Sequence, residues 1–131
     1  MITWFEKHSK LSWIITILIA IGIFYISSLT FESGSRAGSD VNAILYHIFA
    51  FFFLAFFLLI SLIKGENKEF LFLGIAIAIL YGVSDEFHQL FVSGRHSSFG
   101  DVFYDTAGIL FASFLYISFV YRKKNNFIAT E

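Results

Sequence analysis

Asp85, Glu86, His88 and Gln89 crowd into one five-residue stretch, and Arg95, Asp101 and Asp105 follow within the next sixteen positions. Paired carboxylates beside an arginine in an apolar setting suit acid/base work or ligand capture. Asp85 or Glu86 would act as general acid or base, with Gln89 as orienter. Arg95 would clamp a phosphate or carboxylate with its planar fork. The structural alternative is a hydrogen-bond network that merely joins helices, with Gln89 as the bridge. Arg95 would then neutralise Asp101 or snorkel to lipid phosphates. His47 joins this set as a hydrogen-bond donor to a carboxylate. A His/carboxylate group of His47, Asp85, Glu86, His88 and Asp101 would also suit a divalent metal. No His-Glu-x-x-His spacing supports that reading, and neither metal nor cofactor is expected. Ser27 and Ser28 would be nucleophiles only beside a base, and such residues more often bond back to helix carbonyls.

The elements that position these residues follow from composition. The chain has 131 residues, 57% of them apolar and only 15% charged, with nineteen phenylalanines. A mean hydropathy of +0.75 is too apolar for a soluble domain, and so short a chain cannot build a core large enough to hide that surface. Disorder is excluded by the same composition. There is no cysteine, so disulfides, thiolate metal sites and a Cys nucleophile are excluded; there is no proline, so no proline kinks are expected. The expected class is all-α, a four-helix transmembrane bundle forming a single domain over 1–131. Its spans lie at about 11–29, 41–63, 69–92 and 101–121, each near the roughly 20 residues a bilayer requires. Lys7 and Lys10 ahead of the first span resemble a signal peptide, but the apolar run is too long for one. That span is read as an uncleaved helix.

Seven of the nine basic residues fall on one side: Lys7, Lys10, Lys64, Lys68, Arg122, Lys123 and Lys124. That side is expected to be cytoplasmic, with both termini inside and the loops at about 30–40 and 93–100 outside. Ser33 to Ser39 reads as a flexible outer loop, His96 as a solvated loop residue, and the Phe49–Phe57 run as a lipid-facing surface. With this topology His47, Asp85, Glu86, His88, Gln89, Arg95, His96, Asp101 and Asp105 share one depth, the outer interfacial layer. His47 lies about 9 Å inside the start of its span at 1.5 Å per residue. At about 100° per residue, Gly74, Ala78, Gly82, Asp85 and Gln89 form one stripe, flanked by Glu86 and His88. Asp101, Asp105, Gly108 and Ala112 form another. Small-residue faces let helix backbones approach, so the acids are expected above a helix seam, in a polar pocket roofed by the Arg95 loop. Four carboxylates there cannot all carry charge cheaply. Asp101 is also a candidate N-cap of the last helix.

These residues resemble the VanZ-like family of small membrane proteins. The resemblance runs through Ser27-Ser28, His47, Tyr81-Gly82-Val83-Ser84-Asp85-Glu86-Phe87-His88-Gln89, Gly94-Arg95, Asp101 and Gly108. It departs from the family pattern at Ser93, where a Pro is usual, at Asp105, where an Asn is usual, and at Ile44-Leu45, where a Lys often stands. The family is named for a protein linked to resistance to the glycopeptide teicoplanin. The resemblance implies a multi-pass protein of a bacterial cytoplasmic (inner) membrane, part of the cell envelope. Asp85, Glu86, Gln89, Arg95 and Asp101 would be its polar signature.

The expected function is an outward-facing acidic/Arg pocket that binds an envelope lipid, a lipid-linked glycan precursor or a glycopeptide, with a contribution to teicoplanin resistance. Asp85, Glu86 and Gln89 are the candidate catalytic residues. Arg95, Asp101, His47, His88 and Asp105 are the candidate ligand-binding residues. The alternatives are an integral-membrane hydrolase or transferase acting on an envelope lipid, and a structural or assembly partner within the membrane. Nucleic acid is excluded as a partner, because no basic patch exists beyond the residues that set topology. The oligomeric state is left open.

Overall fold

The computed structural model describes residues 1–30, 41–95 and 98–128. The readings of Ser33 to Ser39 as a loop and of His96 as a solvated residue lie outside these. The described chain is all-helical: α1 (Ile2–Lys7), α2 (Ser9–Ser27), α3 (Val41–Ile63), a 3-10 turn at Lys68–Phe70, α4 (Leu71–Gln89) and α5 (Phe99–Ile128). Four of these are long and apolar enough to cross a membrane. Span limits differ from the sequence expectation mainly at the ends. The first span stops at Ser27, and the last helix continues seven residues past the expected Tyr121. Polar Arg122 to Asn126 are good enough helix formers to extend a helix already nucleated by its apolar part.

α3 is the central helix, packing most extensively on α5 and also against α2 and α4. Its composition explains the placement: it is the most apolar span and the most enclosed of the four. The Phe49–Phe57 run does not face lipid as a unit. Phe49 and Phe53 are exposed, but Phe51, Leu54 and Ala55 are buried. A continuous apolar run carries no amphipathic signal, so only the helical period decides which members turn inward.

Helix approach is set by small residues, as the two stripes require. A Cβ on Gly108 would overlap the Ile48 carbonyl oxygen and lie 3.1 Å from the Phe52 nitrogen, so α3 and α5 meet backbone to backbone. A Cβ on Gly82 would lie 3.2 Å from Phe51 and 3.3 Å from Asp105 Oδ2. α4 therefore buries Gly74, Ala78, Gly82, Asp85, Glu86 and Gln89. Between apolar walls, Thr16, Ser61, Thr106 and Ser113 return their hydroxyl protons to carbonyls one turn back, so none of these four donors is unpaired.

The two ends of the packed helices carry different chemistry. At one end α1 folds back so that Glu6 is buried. Its Oε1 accepts from the Tyr116 hydroxyl and its Oε2 from Lys123 Nζ, both at 3.0 Å. The Gly65 amide donates to the Tyr116 oxygen at 3.1 Å, from a turn in which Lys64 and Gly65 both take positive φ. Lys68 lies over the Tyr121 ring. This end collects the basic residues of the N-terminus, the α3–α4 turn and α5. The other end is acidic.

Candidate functional site

At the acidic end, the C-termini of α2 and α4 meet the N-terminal turns of α3 and α5. Asp85 sits on α4 one turn after Gly82, where the missing side chain brings α5 close. Its Oδ2 accepts from the Ser27 hydroxyl at 2.7 Å and from the Gln89 amide at 3.0 Å. Gln89 Nε2 also donates to Glu86 Oε1 at 3.3 Å, so one amide, a turn further along the helix, joins two consecutive carboxylates. Glu86 Oε2 accepts from the Ser98 backbone N–H at 3.1 Å. On the facing pair of helices, His47 Nδ1 donates to Asp105 Oδ1 at 2.9 Å. Asp85, Glu86, Gln89, His47 and Asp105 are all buried.

The donors do not saturate the acceptors. An ionised carboxylate has two oxygens with room for about four hydrogen bonds. Asp85 Oδ1 and Asp105 Oδ2 are buried and have no hydrogen-bond partner among the described residues. The Tyr46 hydroxyl shares that condition. Asp105 Oδ2 faces the glycine of α4 at position 82, the side on which Asp85 and Glu86 follow. The unpaired Asp105 oxygen therefore looks into the seam between α4 and α5.

Other predicted residues line the margin. Arg95 donates from Nε to the Leu29 carbonyl at 3.3 Å and from Nη2 to the Ile26 carbonyl. Its guanidinium thus holds the chain after α4 against the end of α2, where helix carbonyls lack partners and the dipole favours a cation. His88 is half-buried, stacked on Phe24 and 3.0 Å from the Ser28 oxygen; it belongs to the α2–α4 contact. Asp101 is half-buried in the first turn of α5. The capping role given to it belongs to Ser98, whose hydroxyl accepts from the Gly100 N–H at 3.0 Å. Asp101 instead favours the helix as an acid near its positive end.

Sequence reasoning missed two participants and a separate cluster. Ser98 supplies an amide to Glu86 as well as the cap. The signal was a Ser one position before an apolar helix start, which is a preferred capping residue. Tyr46 was masked by its place in an aromatic-rich run. Glu6, Tyr116 and Lys123 form their own cluster at the opposite end, joined across more than a hundred positions, and no local pattern marks them.

The arrangement offers a hydrogen-bond-oriented imidazole, three buried carboxylates and unused acceptor positions. One ligand atom each from His47, Glu86 and Asp105 lie within 4.8 Å of one another. It is an acceptor-rich site, suited to a donor-bearing or cationic group.

Residues 12–121 match the family model described as VanZ/LLP1. The match takes in all four long helices, from early α2 to the point where the polar tail of α5 begins. No curated protein and no solved structure matches the chain. The chain belongs to the VanZ/LLP1 family and is a membrane protein of that family.

Proposed function

We propose that this family member captures the polar head of an envelope lipid, a lipid-linked glycan precursor or a glycopeptide in its acidic cluster. On this reading the cluster opens to the outside of a bacterial inner membrane, both termini are cytoplasmic, and capture of a glycopeptide contributes to teicoplanin resistance. The observation that carries the reading is a pair of buried carboxylate oxygens, Asp85 Oδ1 and Asp105 Oδ2, that have no hydrogen-bond partner among the described residues. A buried acceptor without a donor costs about 1–3 kcal/mol, more when charged. Hydroxyl or amine donors from a ligand would recover that cost. Glycans, glycerol and ethanolamine heads and glycopeptides all carry such donors. Asp85, Glu86, Asp105 and His47 would contact the head, and Gln89 would hold the Asp85 and Glu86 carboxylates in place. Arg95, Asp101 and His88 at the margin would face the phosphate or the solvent side of the ligand.

A second reading is favoured by one geometric fact, the 2.9 Å bond between His47 Nδ1 and Asp105 Oδ1. An imidazole oriented by a carboxylate is the arrangement of a general base. The chain would then be a hydrolase or transferase on an envelope lipid, with Asp85 or Glu86 as its acid.

Native mass spectrometry of protein released from bacterial membranes tests the proposal. A discrete lipid or glycolipid adduct is expected on the wild type and should fall at least tenfold in occupancy, about 1.4 kcal/mol, in Asp85→Asn. A bare wild-type protein, or an equal adduct on the variant, contradicts capture. Progressive conversion of the adduct during incubation supports the enzyme instead.

A further inference from the structure

Two buried carboxylate oxygens of the acidic cluster have no donor among the described residues, and the groups around them point to an ion. We infer that His47, Glu86 and Asp105 form a binding site for a divalent first-row cation, of the Zn²⁺ or Mn²⁺ type, in the seam of α3, α4 and α5. No ion was expected from sequence, and the set considered there named Asp85, His88 and Asp101 in place of Asp105. The packing brings Asp105 inward and turns His88 toward α2.

Three observations carry the inference. First, one ligand atom from each residue lies within 4.8 Å of the others, and all three side chains are buried. Imidazole nitrogen with two carboxylates is a donor set that such ions accept, and three protein ligands leave a position for water or substrate oxygen. Second, Asp105 is only 1% exposed, yet its Oδ2 has no hydrogen-bond partner among the described residues and faces α4. Asp85, 4% exposed, likewise leaves Oδ1 unused. A buried carboxylate with an idle oxygen lacks a proton, a donor or a cation. Third, the groups around the site are already oriented from outside it. Gln89 and the Ser98 amide hold Glu86, which is how partners around a metal site fix its ligands. The cation would offset the repulsion among Asp85, Glu86 and Asp105, and its presence does not depend on head-group capture.

The test uses full-length protein in lipid nanodiscs, stripped with chelator and titrated separately with Zn²⁺ and Mn²⁺. Elemental analysis should give one ion per chain for at least one of these metals. Affinity should drop at least tenfold in Glu86→Gln and in Asp105→Asn, and stay unchanged in His8→Ala, whose imidazole lies at the opposite end. For a Mn²⁺-loaded sample, pulsed electron paramagnetic resonance should show nitrogen coupling that His47→Gln removes. Where a variant fails to fold, the wild-type nitrogen coupling and a metal-dependent rise in Tm stand in for it. No bound ion of either metal, or an ion unaffected by all three ligand substitutions, overturns the inference. A lipid adduct on protein that binds neither metal overturns the cation site and leaves capture intact; a bound ion on protein that carries no adduct supports the site and contradicts capture.

Discussion

Asp105 is the residue on which the chemistry turns. It accepts from His47 with one oxygen, and the other is buried with no partner among the described residues. Replacing it with Asn keeps an acceptor for the His47 N–H but removes a charge whose burial is costly. Asp105→Asn is therefore expected to match or exceed the wild type in Tm while losing ligand. His47→Ala removes the donor and strands the carboxylate, which should destabilise the protein by about 1–3 kcal/mol. Thermal unfolding in detergent, followed by circular dichroism, separates the two. If both variants fall equally in Tm, Asp105 is a structural partner and its idle oxygen has no functional meaning. This residue was legible in the sequence as part of a stripe with Gly108 and Ala112. Its pairing with His47 was not, since fifty-eight positions separate them and no local rule joins distant helices.

At the scale of elements, glycines decide where the acids end up. Gly82 admits Phe51 and Asp105 against α4, and Gly108 brings α5 onto the α3 backbone. Without a hydrophobic drive between helices in lipid, close packing and polar contacts hold the spans together. Gly108→Ala places a methyl group on the Ile48 carbonyl, and the backbone there has little room to yield. A loss of at least about 1–3 kcal/mol is expected from such overpacking, with Asp105 drawn out of reach of α4. Tm and the yield of monodisperse protein measure it; an unchanged Tm would mean that α3 and α5 are further apart than described. The four spans and both stripes were readable because apolar length and the period of about 3.6 residues are local signals. The inward turn of Phe51 and the Ser98 cap were not read correctly. In the first case a uniformly apolar run hides its phase, and in the second a more acidic neighbour drew attention away from the serine. The separate α1 helix also went unseen, because its six residues are too few for a periodic pattern.

Across the whole molecule, polarity is divided between two ends. One gathers Glu6, Lys64, Lys68 and Lys123 around Tyr116 and Tyr121. The other gathers His47, Asp85, Glu86, Gln89 and Asp105 from the opposite termini of the same helices. The basic end is the one that the positive-inside preference would keep in the cytoplasm; on that orientation the acidic end would face outward, as the proposed capture requires. Family membership and membrane-spanning character agree with the sequence reading. The most direct measurement is thiol labelling, with a clean background because the chain has no cysteine. Single cysteines are introduced by Ser93→Cys, beside the acidic cluster, and by Lys64→Cys, in the turn after α3. A membrane-impermeant maleimide applied to intact cells should label position 93 and leave position 64 unlabelled until the cells are permeabilised. Labelling of position 64 alone in intact cells would put the acidic cluster on the cytoplasmic side and contradict capture of any ligand from outside.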